Sequence, residues 1–123
     1  MTIPDDNTIR QLDGPALTRL AYDLGLAPAG ATLWNEQPYA HRDFWEPHKD
    51  VSQARALFFG ISGLWKLYSQ GTRGTAGEVH LKDEYGTELA GVSWGLGSDE
   101  PSEALALLRC ACRARAAQLR EEA

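Results

Sequence analysis

Glu78-Val-His-Leu-Lys-Asp-Glu-Tyr-Gly-Thr-Glu-Leu-Ala-Gly-Val-Ser-Trp94 reads as two strands and the turn between them. Val79 and Leu81 alternate with polar neighbours, the period of a half-buried strand. Asp83–Thr87 contains Gly86 and has the length of a three- to five-residue hairpin loop. On the return, Ala90, Val92 and Trp94 share a face. Upstream, Leu64–Tyr68 is a third short, aromatic-rich run, separated from Glu78 by the Gly/Thr segment Gln70–Gly77. Three antiparallel strands are expected.

Helices flank these strands. Downstream, Leu105, Leu108, Cys112 and Leu119 form an apolar stripe at helical spacing. Asp99 is the expected cap, with Pro101 in the first turn. Arg109, Arg113 and Arg120 form a neighbouring basic stripe, read as a solvated face. Leu107 and Cys110 fall off the main stripe. Upstream, Asp13 and Pro15 open a helix whose buried face is Leu17, Leu20, Ala21 and Leu24, closed by Gly25. Another helix starts at Asp50, where Gln53 completes a capping-box spacing, and ends at Gly60. Residues 1–12 read as an irregular arm, and residues 13–120 as one domain with a long loop over 26–47. The class is α+β: a three-stranded antiparallel sheet packed with three helices.

The chain's 123 residues suit a single core. Hydrophobic residues are 43% and charged residues 24%, which excludes disordered and fibrous classes. No apolar run approaches the ~18 residues of a membrane span. The acidic opening MTIPDDNTIR has no apolar core of a signal peptide, so a cytoplasmic protein is expected. Cys110 and Cys112 lie about 200° apart on a helix and cannot pair with each other, so both read as packing residues.

Catalytic and metal constellations are thin. His41, Asp43, His48 and Asp50 fall within ten residues, and His80 and Asp83 sit on the hairpin. Such groups suit a borderline metal, but a spacing of seven across a proline is not a recurrent ligand pattern, and Asp50 serves as a cap. His41-Arg42-Asp43 copies three letters of a kinase loop without the rest. Gln70–Gly77 lacks the following helix and the lysine of a phosphate loop. No G-x-S-x-G occurs. We therefore expect no cofactor, no metal and no catalysis, with a small metal-dependent enzyme as an alternative.

Binding features are stronger. The 26–47 loop carries Trp34, Tyr39 and Phe44, and large aromatics recur at binding hot spots. Trp45 beside Pro47, Trp65 and Trp94 read as core. Between Glu78 and Glu103 lie seven acids and one base, a net of −6 against −5 for the whole chain. Glu78, Asp83, Glu84 and Glu88 supply an acidic face suited to a basic partner. The expected partner-binding set is thus Trp34, Tyr39, Phe44, Glu78, Asp83, Glu84 and Glu88. The plainer reading closes the aromatics over the sheet and leaves the acids solvated. With a pI near 5.1, direct nucleic-acid binding is not expected, nor is a membrane. A homo-oligomeric structural or virion-associated protein is the other alternative, a homodimer with Leu107 and Cys110 in its interface.

Trp45-Glu-Pro-His-Lys-Asp50-Val-Ser-Gln-Ala54-Arg-Ala-Leu57 resembles the W-x-P-x-x-D-x-x-x-A-x-x-L stretch of small phage and prophage proteins, the phage ABA-sandwich domain family. Leu12–Gly25 is similar to that family's first helix, and Asp99–Ala111 to its closing helix. The resemblance implies a phage or prophage origin and an αβα-type sandwich, with no general activity and no catalytic residues to carry over. Taken with the aromatic loop and the acidic segment, it leads us to expect a non-catalytic accessory protein that binds a host or phage protein, such as an anti-CRISPR or other anti-defence inhibitor acting in the host cytoplasm.

Overall fold

The structure, a computed structural model, describes residues 2–31, 45–61, 65–70, 76–83, 85–95 and 99–122, with backbone alone at 59–60, 65–70 and 122. The elements are α1 (Asp6–Gln11), α2 (Gly14–Asp23), α3 (Val51–Ala56) with a 3-10 turn at Leu57–Gly60, β1 (Trp65–Gln70), β2 (Gly77–Lys82), β3 (Glu88–Trp94) and α4 (Glu103–Glu122). The α+β class holds. Among the described residues there are four α-helices where three were expected.

The strands are antiparallel in the order β1-β2-β3. Val79 pairs with Val92 and Leu81 with Ala90, and a register shift follows at Leu81/Lys82. This register gathers Val79, Leu81, Ala90, Val92 and Trp94 on one buried face. Helix α4 lies on that face: Cys110 Sγ is 3.8 Å from the Val79 carbonyl and 3.7 Å from that of Ala90. Cys112, on the opposite side of α4, reaches the Leu17 carbonyl of α2 at 3.6 Å. The three other helices pack on α4. The described layers are therefore sheet, central helix and outer helices.

A helix covered on two sides carries apolar residues on both. Leu107, Leu108, Cys110, Ala111, Cys112 and Ala114 are each 0% exposed. Leu107 and Cys110 left the expected stripe because α4 has two buried sides. This removes them from any interface between copies.

The ends of α2 and α3 follow the expected chemistry. Asp13 Oδ1 accepts the Ala16 N–H at 2.9 Å. At the other end Leu26 N–H donates to the Ala21 carbonyl at 2.9 Å around Gly25 at φ +80°. Asp50 caps α3 through the Gln53 N–H at 3.2 Å. Two other boundaries differ. Residues 6–11 are helical: Asp5 Oδ1 accepts the Thr8 N–H at 2.8 Å, and Ile9 is 0% exposed. Six residues are too few to show a period. Helix α4 begins at Glu103, with Ser102 Oγ accepting the Leu105 N–H at 3.3 Å. Asp99 and Glu100 are engaged elsewhere. The Asp99 carboxylate accepts from the Ser93 N–H at 3.2 Å, and Glu100 N–H donates to the Ser93 carbonyl at 3.0 Å.

The arginines of α4 are not a solvated stripe. Arg109 and Arg113 are each 8% exposed. Arg109 pairs with buried Glu100 and donates to the Ile9 carbonyl at 2.7 Å. Arg113 donates to Asp6 Oδ1 at 2.7 Å and to the Gly91 carbonyl at 2.9 Å. Arg115 reaches the Leu24 carbonyl at 3.5 Å and Arg120 the Pro4 carbonyl at 3.1 Å. Each satisfies a backbone oxygen outside α4. Burial raises the Asp6 carboxyl, but hydrogen bonds from Arg113 and Arg10 outweigh it and hold the group below the usual range.

Removing one partner of a buried pair strands the other. Arg109→Met is expected to cost about 3–5 kcal/mol, and adding Glu100→Leu to restore much of it. Urea unfolding of wild type, both single variants and the double variant checks this. A double variant no more stable than Arg109→Met would place the cost in lost packing instead.

Candidate functional site

With Val79 and Leu81 turned inward, alternation turns Glu78, His80 and Lys82 of β2 outward. His80 stands opposite Gly91 of β3. Its Nε2 lies 2.7 Å from Glu78 Oε2, and its Nδ1 is bonded to Glu88 Oε1. Gly91 makes this possible. A Cβ there would stand 2.8 Å from His80 Nδ1 and 3.2 Å from Glu88 Oε1. Two carboxylates on two ring nitrogens suit the imidazolium, in which both nitrogens donate. The hydrogen bond to Glu78 raises the His80 pKa, partial burial opposes it, and Glu88 adds to the rise. The side chain is 27% exposed.

The tip of the hairpin is fixed by Asp83. Its Oδ1 accepts the N–H groups of Tyr85 and Thr87, both at 2.9 Å. Gly86 takes φ +85°, and its N–H donates to the Asp83 carbonyl at 3.0 Å. The turn holds Tyr85 outward at 84% exposure. Among the described residues, the large hydrophobics left exposed are Tyr85 and, at 38%, Tyr22.

The structure thus brings Glu78 and Glu88 together through a shared histidine, so this acidic face is partly neutralised from within. Asp83 Oδ1 is engaged by the turn's own N–H groups. Glu84 and the loop aromatics Trp34, Tyr39 and Phe44 lie outside the described residues. Sequence reasoning passed over Tyr85. The signal was present, since a short turn between Lys82 and Glu88 must carry Tyr85 at its tip.

The described metal candidates do not converge. His41 and Asp43 lie outside the described residues. His48 Nδ1 is 2.8 Å from Thr18 Oγ1, and its ring packs where a Gly14 Cβ would stand, at 3.0 Å. Burial lowers its pKa. Among the described residues, no three His, Cys, Asp or Glu side chains group to hold an ion. Burial pushes the Cys110 thiol up to about 12 and raises that of Cys112, so neither is a ready nucleophile. A polar recess of about 200 Å³ lies between Arg10, Asp99, Glu100, Arg109 and Arg113, and its buried guanidinium groups are already engaged. Among the described residues, no helix is long and apolar enough to cross a membrane.

Comparison with family models, with curated proteins and with solved structures finds no match to this chain.

The two histidines have opposite linkage. The folded pKa of His80 lies above the ordinary 6.5, so its stabilising contribution is complete below that value and is lost as pH rises through the raised pKa. That of His48 lies below 6.5, so its contribution is present above 6.5 and is lost as pH falls through the lowered value. NMR titration should find His80 titrating above His48. Glu88→Gln and Gly91→Ala should each bring His80 down toward 6.5. A His80 midpoint unchanged by both variants would contradict the carboxylate clamp.

Proposed function

We propose that this chain is a non-catalytic binding protein that docks a partner protein through the β2–β3 hairpin. Tyr85 is the anchor, and Glu78 and Glu88 flank it as a rim for a basic surface. The observation that carries this reading is Tyr85 itself, 84% exposed on a turn whose backbone Asp83 and Gly86 hold in place. An anchor held in its bound shape loses little entropy on docking, and Tyr is enriched among residues that dominate interface energies. Among the described residues, carboxylates occupy both His80 nitrogens and both thiols are buried, which favours a binding role for this surface.

The concrete form we favour is inhibition of a host macromolecule by a phage or prophage protein, such as an anti-CRISPR or other anti-defence inhibitor. Its support is the resemblance of Trp45–Leu57 and Asp99–Ala111 to the phage ABA-sandwich domain family. The aromatic segment carrying Trp34, Tyr39 and Phe44 is a second contact region in this proposal. A self-associating structural protein is less favoured, because Leu107 and Cys110 are 0% exposed.

A pull-down from host lysate identifies the partner, and titration with the purified partner tests the site. Tyr85→Ala should weaken binding about tenfold or more without lowering the melting temperature. Glu78→Gln with Glu88→Gln should flatten the salt dependence of association. Full affinity in Tyr85→Ala would remove the hairpin from the interface.

A further inference from the structure

A cavity of about 550 Å³ opens between the 25–31 segment and α3. That volume falls within the ~300–1,000 Å³ typical of small-molecule sites. Leu26, Trp45 and Leu57 form its floor and are 5%, 5% and 1% exposed, so the base of the cavity is the edge of the core. Ala27, Ala31 and Ala56 line its walls, too short to fill it. At the rim the chain turns through Gly25 and Gly30, at φ +80° and +79°, with open space where a Cβ would stand.

The polar side chain among the described lining residues is Gln53. Its carboxamide oxygen accepts the Glu46 N–H at 2.7 Å. That bond fixes the side chain and leaves its NH2 as a donor for a ligand. It also explains why Gln53 does not close the capping box with Asp50, although the spacing allows it. None of the described lining residues carries a charge. A phosphate or carboxylate ligand would find no counter-ion among them, and burying such a charge unpaired is costly. A neutral ligand meets no such penalty. The Trp45 indole and the two leucines offer the apolar surface on which a ring system gains most.

We propose that this cavity binds a neutral, largely apolar, ring-bearing small molecule with one hydrogen-bond acceptor directed at the Gln53 NH2. The site is separate from the hairpin docking reading and does not depend on it.

Two neutral probes test it on the full chain. N-phenyl-1-naphthylamine, which brightens in apolar surroundings, should bind saturably at one site. 2-Acetylnaphthalene, which adds a carbonyl acceptor, should displace it. Ala56→Phe and Ala29→Phe, both at exposed positions, should weaken both probes about tenfold or more while leaving circular dichroism and melting unchanged. Gln53→Met should weaken the ketone and spare the naphthylamine. Fluorescence that rises without saturation, or folded Phe variants that bind as wild type does, would overturn the site. Equal losses of both probes in Gln53→Met would overturn the role given to Gln53.

Discussion

Two arginines one turn apart on a buried helix set the terms for this fold. Taking a guanidinium out of water costs several kcal/mol, and only close, hydrogen-bonded partners return it. Arg109 and Arg113 find theirs in Glu100, Asp6 and the Ile9 and Gly91 carbonyls. Those partners belong to α1, to β3 and to the turn before α4. The same contacts therefore seat the N-terminal helix, close the outer edge of β3 and fix where α4 begins. Asp99 completes the edge by accepting the Ser93 N–H. A strand edge closed in this way offers no ladder to another chain.

The buried face of the sheet and its outer face follow opposite logic. Inward, Val79, Leu81, Val92 and Trp94 meet apolar residues of α4, Cys110 among them, and shape and area dominate. Outward, the hairpin spends its polar groups on its own geometry. His80 joins two carboxylates across neighbouring strands, and Asp83 holds the turn. Among the described residues, the hairpin's outer surface is an exposed tyrosine with half-exposed glutamates behind it. An acidic run is thus a poor guide to a binding face until its internal partners are known.

Gly91 and Gly14 show how such arrangements are accommodated. Neither takes a positive φ, so neither is required by backbone conformation. Each leaves room for a histidine ring, His80 in one case and His48 in the other. The two rings sit in opposite environments, one between carboxylates and one desolvated beside Thr18, so their proton affinities move apart. Two histidines of the same intrinsic basicity thereby acquire different pH ranges from packing alone.

Local chemistry determined much of this protein. The Asp13 and Asp50 caps, the Gly25 stop, the alternation along β2 and β3 and the Gly86 turn were legible because each depends on residues only a few positions apart. Tyr85 was equally legible as the tip of a short turn, and the charge count drew attention away from it. Tertiary structure decided the rest. Arg109 and Arg113 look like a wet stripe because nothing nearby in sequence reveals that Asp6 lies against them, 107 residues from Arg113. Leu107 and Cys110 look like a second interface because one helix's period cannot say that both its sides are covered. The cavity beside Trp45 arises between segments that are apart in the chain. Where partners are distant in sequence, charge and periodicity describe a surface, and only packing determines whether that surface meets water.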